Sequence, residues 1–197
     1  MGIPEAGYSS AMGLAAKKDA TYEDLVNVSG DVVCEIIHGT LHTHPRPATC
    51  HARSSTKLGG FLDGPFDSGR GGPGGWLILD EPELHLGKHV LVPDLAGWRR
   101  ERLPQMPDAP FLEIAPNWIC EVLSPSTAAV DRAQKVPIYA THGVNHIWLI
   151  DPIAQTLEVL RLDGATYRVL QTFSGTAEVR VEPFDAVAMP LGDLWSR

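Results

Sequence analysis

The sequence predicts an α/β domain, a central β-sheet with flanking helices and an antiparallel meander at its C-terminal end. Three observations carry that. Apolar, β-branched-rich runs recur at Val90-Leu91-Val92, at Trp118-Ile119-Cys120-Glu121-Val122-Leu123 and from Val144 to Pro152, each the length of a buried strand. Between the second and third, Asp131, Lys135 and Tyr139 recur every four residues, the spacing of one helix face. From Thr156 to Leu162, Tyr167 to Phe173 and Ala177 to Val181, apolar and polar residues alternate around Asp163-Gly164 and Ser174-Gly175, the signature of a meander.

At 197 residues the chain suits one domain with a sizeable core. We place that domain at residues 21–197, behind a loosely held Gly-, Ala- and Ser-rich segment, residues 1–20. Hydrophobic content of 44% and charged content of 20% fit an ordinary globular protein. No run of eighteen apolar residues occurs, so no membrane span is expected. With no export signal visible, a cytoplasmic location is expected. Cys34, Cys50 and Cys120 are odd in number and lack C-x-x-C spacing, which suits free thiols in a reducing compartment. The net charge of −8 runs against a broad nucleic-acid footprint but leaves room for a local basic cleft.

The elements follow in order. Thr21 caps a short helix with acids in its first turn. Asp31 to Ile37 and Thr40 to Thr43 form a hairpin turning at His38-Gly39. Ala48 to Leu62 is a helix with Leu58, Phe61 and Leu62 at helical offsets. Gly64 to Gly75 is a flexible connector, because it lacks both the lysine of a P-loop and the ordered glycines of a dinucleotide turn. Trp76 to Leu79 is a strand, and His85 to Val92 is another that delivers Asp94. After Asp94 come Arg99, Arg100 and Arg102, the densest basic cluster in the chain, and then a proline-punctuated loop to Pro116 before the strand at 118–123. Those arginines are either phosphate ligands or a solvated offset to a negative protein. Ser124-Pro125-Ser126-Thr127 starts a helix that Gly143 stops, and Pro137 is expected to kink it.

The chemistry gathers on the acids. Asp94 and Glu121 each end or interrupt an apolar strand, where an ionised carboxylate loses hydration. Two such groups on adjacent strands repel unless a cation lies between them. Mg²⁺ would reconcile them, since it takes oxygen ligands from one or two carboxylates and completes its octahedron with water and phosphate. The alternative is a turn-opening Asp94 and a Glu121 paired with an arginine. Glu35, mid-strand, is either on a solvent face or a third carboxylate aimed at the same place. His38, His42, His44 and His51 show no established zinc spacing and read as solvated loop histidines.

An ordered series of motifs links these residues: Glu35-Ile36-Ile37-x-Gly39, Val92-Pro93-Asp94, Cys120-Glu121-Val122-Leu123-Ser124-Pro125-Ser126-Thr127, Asp131-x-x-x-Lys135-x-x-x-Tyr139 and Gly143-Val144-x-x-Ile147-Trp148-Leu149-Ile150-Asp151-Pro152. From about Tyr22 to Tyr167 the chain resembles the restriction-endonuclease-like family within the PD-(D/E)XK nuclease superfamily. The resemblance implies a central mixed sheet flanked by helices and metal-dependent cleavage of nucleic acid, DNA by preference. It makes Asp94 and Glu121 the motif acids, with Glu35 as accessory. Asp94, Glu121 and the Val122 carbonyl would then hold Mg²⁺, or Mn²⁺ in its place. The superfamily lysine falls on Leu123, on the same strand face as Glu121, so Lys135 from the following helix is the candidate replacement. Two rivals stand beside an endonuclease: a nuclease-fold binding protein that has lost catalysis, and a serine hydrolase using Ser124, which lacks a G-x-S-x-G elbow. A homodimer is expected, since cutting both strands calls for two sites.

Overall fold

The computed structural model describes residues 17–30, 32–45 and 47–196. The segment expected to be loosely held lies mostly outside them; within it, β1 (Lys17–Lys18) pairs with Thr40 and Leu41. Thr21 caps α1 (Tyr22–Val26) through a reciprocal bond with Asp24, satisfying amides that a helix start leaves open. β2 (Val32–Ile37) and β3 (Thr40–Pro45) form the expected hairpin. His38 and Gly39 both adopt positive φ at its turn. Glu35 stands opposite His42 in the register, so the two share a face with His44.

α2 (Thr49–Leu62) buries His51, Ser54, Ser55, Leu58 and Leu62, an i, i+3/i+4, i+7 stripe. A π-turn at Asp63–Asp67 extends it. The glycine-dense stretch beyond, expected to be a flexible connector, is instead a packed corner. Gly74 donates to the Pro65 carbonyl at 2.9 Å, and a Cβ on Gly72 would lie 2.4 Å from the Pro65 Cβ.

β4 (Trp76–Asp80), β5 (Leu84–Leu86), β6 (His89–Leu91), β7 (Leu95–Arg99) and β8 (Trp118–Val122) follow. Two expectations are corrected here. The single strand at 85–92 is a hairpin, β5 against β6, because Gly87 takes φ +64° and reverses the chain. The segment after Asp94, where no strand is expected, is β7, a central strand between β4 and β8. Gly97 interrupts its apolar run, which hid it in the sequence. The side-chain space over Gly97 is taken by the Trp76 and Trp118 rings, 3.3 and 3.2 Å from where a Cβ would stand. β7 also carries Arg99 and Arg100 away from Asp94. Arg99 lies over the Trp76 ring, 4.1 Å from its centroid, and Arg100 pairs with Asp67 at 2.7 Å.

The helix after β8 has three parts: α3 (Ala128–Val130), a π-turn (Asp131–Lys135) and α4 (Val136–Thr141). The kink expected at Pro137 is this π-turn. Proline donates no hydrogen bond, and just before it the ladder widens so that the Val136 N–H reaches the Asp131 carbonyl. β9 (His146–Asp151) then runs parallel to β8, and β10 (Thr156–Asp163) and β11 (Thr166–Ser174) continue antiparallel. The third strand expected in the meander leaves it: β12 (Glu178–Val179) pairs with β13 (Met189–Pro190) in a separate ribbon, before a 3₁₀ turn at Leu191–Trp195.

The result is a mixed six-stranded sheet, β11-β10-β9-β8-β7-β4, beside a five-stranded antiparallel sheet, β1-β3-β2-β6-β5. Residues of β8 alternate between two cores. Trp118, Cys120 and Val122 pack with α2 and the C-terminal segment, whereas Ile119 and Leu123 pack with Ile138 and Tyr139 of α4. Glu121, between Ile119 and Leu123 in that alternation, faces the α4 side.

Candidate active site

Four elements bring acids to one cavity of about 340 Å³, whose lining includes Glu35, Asp94, Glu121, Asp131 and Lys135. Glu35 comes from the middle of β2, Asp94 from the residue before β7, Glu121 from β8, and Asp131 with Lys135 from the π-turn. Glu35, Glu121, Asp131 and Lys135 are all buried, Lys135 to 2% exposure. Among the described residues lining the cavity, Lys135 is the lone Lys or Arg.

The lysine holds the acids together. Its Nζ lies 2.9 Å from Glu121 Oε1, 3.0 Å from Glu35 Oε1 and 3.5 Å from Asp131 Oδ1. Tyr139 donates to the same Glu121 Oε1 at 2.6 Å, and the Val92 N–H donates to Glu35 Oε1 at 2.8 Å. His44 adds a contact to Glu35 Oε2 at 3.4 Å. The helix periodicity that suggested a shared face for Asp131, Lys135 and Tyr139 thus delivers all three to one point, although the turn between them is π rather than α.

One cation among three buried acids settles the charge states unevenly. Burial drives the Glu35 carboxyl upward, but Lys135, His44 and the Val92 N–H outweigh it and hold the group down at about 2. Burial wins at Glu121, lifting its carboxyl well above the carboxylate range despite Lys135, with Asp131, Asp94 and Glu35 adding repulsion. Asp131 is raised for the same reason. At Lys135 burial favours the neutral amine, yet Glu121 and Glu35 overcome it and keep the ammonium charged.

Asp94 sits at the other wall. Its Oδ2 accepts the Val122 N–H at 2.7 Å, and its Oδ1 lies 3.2 Å from His51 Nε2. Burial favours neutral His51, but Asp94, Asp131 and the Val122 carbonyl reverse that and raise its pKa. Neither Asp94 nor Glu121 has an arginine partner among the described ion pairs, and the two acids share one cavity.

The structure brings Glu35, Asp94, Glu121 and Lys135 to one cavity, and four neighbours outside that expected set join them. Asp131 and Tyr139 were legible as helix-face partners of Lys135. Two of the four histidines expected to be solvated, His44 and His51, are a correction. His44 lines the cavity because strand alternation puts it on the Glu35 face, and His51 because it heads the buried stripe of α2. Ser124 lies at the cavity rim, its hydroxyl 3.0 Å from those of Ser126 and Thr127. It is a helix-start residue without a histidine partner among the described hydrogen bonds.

The donor set suits a hard divalent ion, being mostly carboxylate oxygen with more negative than positive charge. As arranged, no three His, Cys, Asp or Glu side chains among the described residues converge as a ligand set. Lys135 and His51 now occupy the acids that would serve.

No curated protein matches the chain. Among solved structures it is similar to a putative nuclease belonging to DUF820 from Anabaena variabilis ATCC 29413, with 24% identity, TM-score 0.73, and coverage of 89% of this chain and 97% of that one. That likeness establishes a shared fold. A family model, Uma2, described as putative restriction endonuclease, matches residues 19–191. With the motif series, the mixed sheet and the acid cluster lying inside that span, the chain belongs to the Uma2 family of putative restriction endonucleases.

Proposed function

We propose that this protein is a divalent-cation-dependent endonuclease that hydrolyses phosphodiester bonds in DNA. The observation carrying the reading is the convergence of Glu35, Asp94, Glu121 and Asp131 on a cavity with one buried lysine. With all four acids ionised, such an excess of carboxylate calls for added positive charge. Asp94, Glu121 and the Val122 carbonyl would hold Mg²⁺ or Mn²⁺. When bound, the ion lowers the pKa of a coordinated water and offsets charge on the phosphoryl oxygens.

The chain's own residues do the rest. Lys135 Nζ, fixed between Glu35 and Glu121, is a preorganised positive charge for the developing phosphoryl charge. It stands in for the motif lysine that Leu123 cannot supply. Glu35 keeps Lys135 in place, and Tyr139 fixes Glu121 by occupying Oε1. Hydrolysis in line expels the 3′-oxygen and leaves a 5′-phosphate. The protein would act as a homodimer, which supplies one site per strand, and in the cytoplasm, where DNA and free Mg²⁺ meet.

The test is incubation with plasmid and single-stranded DNA in Mg²⁺ or Mn²⁺, beside Asp94→Asn, Glu121→Gln and Lys135→Ala. Cleavage by wild type, lost by at least about 100-fold in each variant, supports the reading. Cleavage surviving in all three removes the site. A second reading, a nuclease-fold binding protein without catalysis, draws on Leu123 and on the sparse positive charge of the lining. DNA retention without cleavage in any metal would select it.

A further inference from the structure

We propose that His51 is a displaceable plug on the cation position, which an incoming divalent ion must expel before the site can work. The proposal rests on the reading of Asp94 and the Val122 carbonyl as cation ligands, and deepens it. Asp94 commits Oδ2 to the Val122 N–H, so Oδ1 is the oxygen left to meet an ion. His51 Nε2 lies on that oxygen, 3.2 Å away. One side chain therefore stands on the oxygen through which Asp94 would hold the ion.

The same geometry argues against His51 as a ligand. A metal-bound histidine is almost always oriented by donating its other ring N–H to a partner. Here Nδ1 is buried and has no hydrogen-bond partner among the described residues. The Asp94 carboxylate oxygen facing Nε2 calls for a proton on that nitrogen, which leaves no lone pair there for an ion. No hydrogen bond from a described residue holds the ring from behind. His51 also belongs to the first turn of α2, whose N-cap, Ala48, makes no side-chain capping bond, so that turn lacks the support a Ser, Thr or Asp cap gives. The ring is thus well placed to cover Asp94 in the metal-free protein and easy to dislodge from it.

Calorimetric titration of the full chain with MnCl₂ tests this, comparing wild type with His51→Ala, His51→Leu and Asp94→Asn, each checked for native circular dichroism. Both His51 variants should bind Mn²⁺ about tenfold more tightly than wild type, the equivalent of one hydrogen bond to a charged group. Should one variant fail to fold, the other decides. Asp94→Asn should lose binding. Weaker binding in the folded His51 variants would make His51 a ligand and overturn the proposal. Unchanged binding, still sensitive to Asp94→Asn, would overturn the plug and leave the nuclease reading standing. Absence of binding in wild type and in both His51 variants would overturn both.

Discussion

At the scale of single residues the site turns on Lys135. A lysine at 2% exposure is sustained only because carboxylates surround it. Lys135→Met keeps the volume and removes the charge, leaving buried acids without compensation. We expect a stability loss of about 3–5 kcal/mol without metal, read as a lower urea midpoint, with Mn²⁺ restoring part of it. Glu35 gives a pH signature. Its folded-state pKa of about 2 lies below the ordinary 4.5, so its stabilisation is complete above 4.5 and is lost as pH falls through 2. The gap in unfolding free energy between wild type and Glu35→Gln should therefore narrow steadily from pH 5 towards pH 2. A gap that does not change over that range would contradict the Lys135 pairing.

Among the elements, β7 shows how packing outranks pattern. Gly97 makes Leu95–Arg99 a poor strand by propensity, yet the absent side chain lets Trp76 and Trp118 close over the backbone. Gly97→Ala should cost about 1–3 kcal/mol from overpacking, measured by thermal or urea unfolding, and should weaken the site as well, because β7 begins one residue after Asp94. The π-turn is the second case. Proline at 137 predicted a disturbance, and the form it takes leaves Asp131 and Lys135 at 3.5 Å while Tyr139 still reaches Glu121. α2 is the third, since the stripe that seats Leu58 and Leu62 in the core also carries His51 onto Asp94.

Over the whole molecule, the −8 net charge sets the terms on which the proposed nuclease would bind DNA. The basic cluster at Arg99 and Arg100 lies at the far end of β7 from Asp94 and is taken up by Trp76 and Asp67, so counterion release contributes little at the site. DNA binding should therefore depend on a divalent ion. In fluorescence anisotropy, affinity for a labelled duplex should rise at least about tenfold when Ca²⁺ replaces EDTA. Equal affinity in the two buffers would count against a cation bridging protein and phosphate.

By itself the sequence determined the strands at 32–37, 118–122 and 146–151, the helix from 49 to 62 and the acids that meet, because strand and helix periods fix which side chains share a face. It missed β7 and the β5–β6 hairpin, where one glycine broke the apolar run and another reversed the chain. Only the tertiary structure decided that Lys135 reaches across to Glu35 and Glu121, that the arginines stand apart, and that His44 and His51 are buried against acids. Those facts depend on how separate elements pack. Periodicity orients a side chain relative to its own backbone, and only the approach of a second backbone gives it a partner.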